Sequence, residues 1–338
     1  MSSSWVLTSA TVSDWQSIAS DASGQHLAAC VNGGGIYTSS NYGSTWTQQS
    51  DAPTNAIWFS IASSSDGINL AAVVQGGGIY TSSNSGLNWT LQTNGAPTNA
   101  YWYSIASSSD GSLLAAVVFG GGIYVSLDSG SSWAQTSAPT TYWFSIASDS
   151  TGQYLAAVVN SGGIYTSSNS GSSWTLTSAP NASWQSIASN STGTILVAVV
   201  NLGSGGIYVS SNSGLNWTQV LSNIISFSSV VSNITGQYLA ACVGINASGG
   251  IFTSSDYGST WSQSSAPDNN WYSIASDSTG SLLAAVVNGG GIYTYVSPPI
   301  PCFKKDTQIL TDNGYRFIQD LRKGDLIKTL QNDFIPID

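Results

Sequence analysis

The 338-residue chain has no glutamate, a single histidine, a single methionine and three cysteines, and residues 1–297 contain neither lysine nor arginine. That stretch carries ten aspartates and no basic side chain but His26, a formal charge of −10. Phosphate backbones and anionic membrane surfaces are bound through Lys and Arg, so neither nucleic acid nor membrane is an expected partner. His26 aligns with Tyr154 and Tyr238 beside a turn, and reads as a surface filler rather than a general base. Cys30 and Cys242 occupy a strand slot that elsewhere holds Val73 or Val158. They read as small core residues, and no disulfide is expected between them. No long apolar run opens the chain, so a secretory signal is not expected, and no compartment is assigned. Sustained helical periodicity is also absent. No metal or cofactor site is read from the sequence.

What is present is a repeat. One turn recurs as Ser39-x-Asn41-x-Gly43-x-Thr45-Trp46, Ser82-x-Asn84-x-Gly86-x-Asn88-Trp89 and Ser126-x-Asp128-x-Gly130-x-Ser132-Trp133. It returns as Ser167-x-Asn169-x-Gly171-x-Ser173-Trp174, Ser210-x-Asn212-x-Gly214-x-Asn216-Trp217 and Ser254-x-Asp256-x-Gly258-x-Thr260-Trp261. A fixed period of roughly 42 residues marks a stacked or circular array. Within each unit four short β signals are separated by Gly, Asp, Asn and Ser, the pattern of successive hairpins. The fold class is all-β.

The ends of the array are offset. The first strand occurs seven times, at Ile18, Ile61, Ile105, Ile146, Ile187, Val230 and Ile274, but the turn tryptophan only six times. Ser3-Ser4-Trp5-Val6-Leu7-Thr8 matches Ser172-Ser173-Trp174-Thr175-Leu176-Thr177, so the chain starts on a fourth strand. It ends its array at Gly291-Ile292-Tyr293-Thr294, a third strand. The two ends complete one sheet and leave no broken edge at the seam. A seven-bladed β-propeller over residues 1–297, closed by its own termini, is the predicted architecture. The thirteen tryptophans all fall in repeat slots: seven at turns, and six in first strands, where repeat six holds Phe227.

The Ser-x-Asx-x-Gly-x-x-Trp turn resembles the Asp-box, or bacterial neuraminidase repeat, over nearly nine-tenths of the chain. The unit is similar to the propellers of photosystem II assembly factors, sortilin-type receptors and some glycoside hydrolases. The resemblance implies a structural hairpin in which Asn41, Asn84, Asp128, Asn169, Asn212 and Asp256 accept backbone N–H groups and the tryptophan packs beneath. Sialidases with this box need an arginine cluster and a Tyr/Glu pair. A propeller with no Arg or Glu cannot supply these, so that activity is not expected.

Two carboxylates can suffice for other glycosidases. Asp21, Asp66, Asp110, Asp149 and Asp277 fall in strand 1–2 turns, and Asp128 and Asp256 in the tryptophan turns. That leaves Asp14, Asp51 and Asp268 in blade crossovers, on the face that related propellers use for ligands. The first-strand ring of Trp15, Trp58, Trp102, Trp143, Trp184, Phe227 and Trp271 starts at the same face. It could stack on a sugar or clasp a peptide, or simply pack between blades. Longer strand 2–3 loops at 201–204 and 244–248 break the symmetry there. The leading expectation is a non-catalytic, monomeric binding or assembly module for a protein or carbohydrate ligand. The alternative is a glycosidase that uses the crossover aspartates.

After a Pro-rich linker at 298–301 the composition changes, and all six Lys/Arg lie beyond it. Cys302, then Thr307-Gln308-Ile309-Leu310, then Leu321-Arg322-Lys323-Gly324-Asp325-Leu326-Ile327 is similar to the start of a Hint (hedgehog/intein) domain. That resemblance makes Cys302 the nucleophile attacking the Pro301 carbonyl. Residues 302–338 contain no Thr-x-x-His to activate it and fall short of the roughly one hundred residues such a domain needs. The segment is expected to be inert as written; the alternative is a precursor that cleaves itself at Pro301–Cys302.

Overall fold

The computed structural model describes residues 4–202, 205–222, 226–244, 249–296, 308–312, 314–317, 326–328 and 334–336. Two compact units emerge, 2–296 and 297–338. Every regular element among the described residues is a β-strand.

The larger unit is a propeller of seven four-stranded antiparallel blades. Blade 1 comprises Ser13–Ser20, Leu27–Gly34, Ile36–Ser39 and Thr47–Gln48. Blade 7 takes Trp271–Ser276, Leu282–Gly290 and Ile292–Val296, and is completed by Trp5–Leu7 from the start of the chain. The closing register is Trp5↔Tyr295, Val6↔Thr294 and Leu7↔Tyr293. First strands pack side by side around the axis, and the strand of blade 7 meets that of blade 1. The fourth strands are only two to four residues long, which keeps the exposed edges short.

Seven hydrophobic clusters fill the seven spaces between neighbouring blades. The second strand supplies both sides. Ala28 and Cys30 face blade 2, while Leu27, Ala29 and Val31 face blade 7. A strand buried on both faces needs an unbroken apolar run rather than alternation, and Leu27-Ala28-Ala29-Cys30-Val31 is such a run.

Two closed circles of hydrogen bonds tie the blades together. On the strand 1–2 turn side, backbone N–H groups donate to the next blade's carbonyl in the order Ala22, Ser65, Ser109, Ser150, Ser191, Ile234, Ser278 and back to Ala22, at 2.7–3.1 Å. Deeper in the ring, the N–H of each first-strand Ile or Val donates to a serine Oγ of the preceding blade. The acceptors are Ser17, Ser60, Ser104, Ser145, Ser186, Ser229 and Ser273. Only a ring whose last blade touches its first can satisfy every donor in both circles.

The tryptophan turns share one geometry. In each, the Asx Oδ1 accepts the N–H four residues on, as in Ser132 N–H to Asp128 at 2.8 Å, and the leading serine Oγ accepts the glycine N–H. Two successive residues are left-handed: Gly130 at φ 92° and, before it, Ser129 at φ 58°. Glycine takes this conformation freely, whereas the residue before it is held there by the side-chain bonds around it.

Hydroxyl and N–H donors hold several turn carboxylates below their ordinary pKa. Asp110 falls from 3.8 to about 2, chiefly through the Ser108 hydroxyl and then Ser112. Asp66 is lowered by Ser64, and Asp128 and Asp256 by the Ser132 and Thr260 hydroxyls. A depressed folded pKa gives stability that is present above the unfolded value and lost as pH falls through the folded one. Unfolding followed against pH should therefore show stability draining from about pH 4 toward pH 2. Asp128→Asn with Asp256→Asn should blunt that loss and leave neutral-pH stability nearly unchanged.

Both propeller cysteines are free and buried, and burial pushes their thiols up to about 12. Peptide mapping after iodoacetamide treatment at pH 8 should find Cys30 and Cys242 unmodified in the native protein and modified in urea.

The smaller unit contains an antiparallel sheet of Gln308–Thr311, Gly314–Phe317, Leu326–Lys328 and Phe334–Pro336. Cys302 and the linker lie outside the described residues.

Candidate binding face

The seven first-strand aromatics, Trp15, Trp58, Trp102, Trp143, Trp184, Phe227 and Trp271, are all 0% exposed. They offer a ligand no accessible ring face. Of the two roles open to them, the structure displays packing: each stands edge-on to an aromatic ring of its own third strand, as Trp143 does to Tyr165 at 5.2 Å. The indole N–H groups are satisfied by crossover carbonyls of Thr11, Pro53, Pro97, Pro139, Pro180 and Pro267. In five repeats that carbonyl belongs to an Ala-Pro pair. The pair is absent before Phe227, which has no N–H to satisfy.

The crossover aspartates occupy different environments. Asp51 is bound to a neighbouring blade, its Oδ2 accepting the N–H of Trp89 at 2.8 Å. Ser9, Ser137 and Ser178 at the matching position reach the same turn with the opposite polarity, donating their hydroxyls to carbonyls of the next blade's tryptophan turn. Asp51 is thus a blade-to-blade latch. Asp268 is exposed in the crossover into blade 7, and Asp14 is exposed at the start of blade 1's first strand. No group of three His, Cys, Asp or Glu able to hold a metal occurs among the described residues. His26 is occupied within its own turn, with Nδ1 3.0 Å from Asp21 Oδ2. Of the asymmetric loops, residues 203–204 and 245–248 lie outside the described residues.

A different constellation emerges where first strands begin. The residue after each ring aromatic sits in a β-bulge: Trp102 pairs with Val118 and Ser104 with Val117, leaving Tyr103 without an opposite number. The same bulge recurs in every blade. A bulged side chain leaves the period-2 alternation. Equivalent bulge residues of blades 2, 3 and 4 then touch each other: Phe59–Tyr103 at 4.2 Å and Tyr103–Phe144 at 5.1 Å. Phe119, from the end of blade 3's second strand, stacks on Tyr103 at 4.8 Å and meets Tyr142 at 4.9 Å. Burial raises the Tyr103 phenol above its ordinary pKa, against a hydrogen bond with Gln75.

The residue before each ring aromatic forms an outer row on the same rim. Asp14, Ile57, Tyr101, Tyr142 and Ser183 pair with Asn288, Asn32, Gln75, Phe119 and Asn160 of the preceding blade. Ile57 is 43% exposed, Tyr101 59% and Tyr142 57%. Blades 2–4 thus carry aromatic residues at three consecutive bulge slots, whereas blades 5, 6, 7 and 1 hold Gln185, Ser228, Tyr272 and Gln16 there, and the outer slots of blades 5, 6, 7 and 1 hold Ser183, Ser226, Asn270 and Asp14. The signal was in the tripeptides around each aromatic: Asp-Trp-Gln, Ile-Trp-Phe, Tyr-Trp-Tyr, Tyr-Trp-Phe, Ser-Trp-Gln, Ser-Phe-Ser and Asn-Trp-Tyr.

The opposite face is polar. Seven serines from Ser20 to Ser276 line the axial opening, a space of about 210 Å³, and each donates its hydroxyl to the next residue's carbonyl. Grooves of about 290 and 270 Å³ between blades 1 and 2 and blades 2 and 3 are lined mainly by Ser, Thr, Asn and Gln.

No protein-family model matches the chain, and no curated protein matches it. Among solved structures it is similar to YCF48 from Cyanidioschyzon merolae, with a TM-score of 0.66 and 16% identity over 88% of this chain and 99% of that one. A structure titled YCF48 bound to D1 peptide gives the same TM-score and identity, covering 97% of that chain. At this identity the likeness is one of fold.

Proposed function

We propose that the chain is a non-catalytic binding module whose crossover face docks a segment of another protein. The observation that carries this is the apolar and aromatic surface of blades 2–4, from Ile57 to Tyr142, the one run of consecutive blades with apolar residues at both slots; elsewhere only Tyr272 of blade 7 is aromatic there. Exposed apolar surface of this kind costs solubility unless a partner covers it, and Tyr is enriched at the energetic centres of interfaces. One structural neighbour is a propeller solved with a peptide, which supports a peptide-sized ligand for this fold. The engagement of Asp51 by Trp89 removes one of the three aspartates from any catalytic pair. We read the tryptophan turns as Asp-boxes on the strength of their shared hydrogen bonding. The organisation we favour is a propeller over 1–297, a linker at 298–301 and a Hint-like start over 302–338.

A random peptide display library tests the docking face. Selected peptides should bind the full chain and lose about tenfold or more in affinity to Tyr101→Ser/Tyr142→Ser, with the thermal midpoint unchanged. Undiminished binding by that variant would move the site elsewhere. A glycan array run on the same two proteins separates a sugar ligand from a peptide one.

A further inference from the structure

The reading above leaves the chemistry of the docked segment open, and charge supplies it. Resting on that reading, we infer that the partner segment is cationic and carries arginine, with guanidinium groups seated along the rim from Asp14 across Tyr101 to Tyr142.

Three observations converge. First, the propeller holds ten aspartates against no Lys or Arg, so its net field favours the approach of cations over anions. Second, the rim slots of four consecutive blades read Asp14, Ile57, Tyr101, Tyr142, and all four side chains are exposed. A carboxylate therefore stands at one end of the aromatic surface, in the blade next to it. Third, Tyr142 is backed by Phe119 at 4.9 Å and Phe119 by Tyr103 at 4.8 Å. A ring supported from behind is held in place while more than half of its residue surface stays open. A planar, weakly hydrated guanidinium gains from such a π face, whereas a compact, strongly hydrated ammonium gains less. The surface thus selects positive charge over negative by its field, and arginine over lysine by its rings.

Fluorescence anisotropy with three labelled, capped peptides decides the matter, each alternating alanine with arginine, lysine or glutamate. The full chain should bind the arginine peptide, bind the lysine peptide about tenfold more weakly, and ignore the glutamate peptide. Raising salt from about 50 to about 500 mM should weaken the arginine complex several-fold. Asp14→Asn should cost about threefold, and Tyr101→Leu with Tyr142→Leu, which keeps apolar area and removes the π faces, should erase the preference for arginine over lysine. Equal affinity for arginine and glutamate peptides, or no binding of the arginine peptide, overturns the inference. Where library-selected peptides still bind and are still lost in Tyr101→Ser/Tyr142→Ser, the docking face stands and only its charge preference falls. Loss of both defeats both.

Discussion

Trp5→Ala is expected to destabilise the propeller by about 3–5 kcal/mol, the range for truncating a buried tryptophan. Trp5 is 9% exposed, lies 5.9 Å from Trp271 and 5.4 Å from Tyr295, and donates its indole N–H to Ser264 Oγ at 3.2 Å. It is the one large side chain by which the first strand grips blade 7. Val6, one residue on and 58% exposed, is the internal control: Val6→Ala should change stability by no more than about 0.5 kcal/mol. Urea unfolding measures both. Removing residues 1–11 should go further, leaving Ile292–Val296 as an open edge and taking Thr11 from the Trp15 indole. A lower m value as well as a lower midpoint would show that less surface is being buried.

The second large effect lies in the buried ring. Trp143→Ala should cost about 3–5 kcal/mol by opening a cavity between blades 3 and 4. There Trp143 packs among Ile146, Ala157 and Val159 at 0% exposure. Trp143→Phe retains most of the packing, loses the 3.1 Å bond to the Pro139 carbonyl, and should cost about 1–2 kcal/mol. Blade 6 shows that phenylalanine can hold this slot where no crossover carbonyl needs a donor. Equal losses for both substitutions would mean that the indole hydrogen bond, rather than volume, fixes the ring. Were these rings the ligand platform, Trp143→Ala would abolish binding with little change in stability.

Blade count and closure were legible because they depend on repeat arithmetic: seven first strands, six internal turns, and Trp5 matching Trp174. The candidate binding face was not, for a local reason. Sequence reasoning about strands rests on alternation, and the bulge after each ring aromatic breaks it, turning Phe59, Tyr103 and Phe144 toward one another. The first-strand tryptophans recur in six of the seven repeats and are buried, Phe227 filling the remaining slot, because the packing between blades needs a large ring there. The informative positions are the ones that vary, immediately before and after. The role of Asp51 was hidden for a related reason: the two-residue fourth strand Thr47–Gln48 lets the crossover run beside the next blade's turn, where the carboxylate accepts the Trp89 N–H. The inter-blade serines were invisible as well, since in a serine-rich chain Ser17 or Ser104 looks like filler until its acceptor role is seen.

Amide hydrogen exchange at Ser278 tests the seal between last and first blades most directly. Its N–H donates to Ala22 at 2.9 Å and closes the circle that also runs through Ser65, Ser109, Ser150, Ser191 and Ile234. A sealed ring predicts that Ser278 exchanges as slowly as those five, together with the N–H of Thr8, which bonds Ile292 at 2.9 Å. Rapid exchange at Ser278 and Thr8 while the other five stay protected would mean that the blades form an open array.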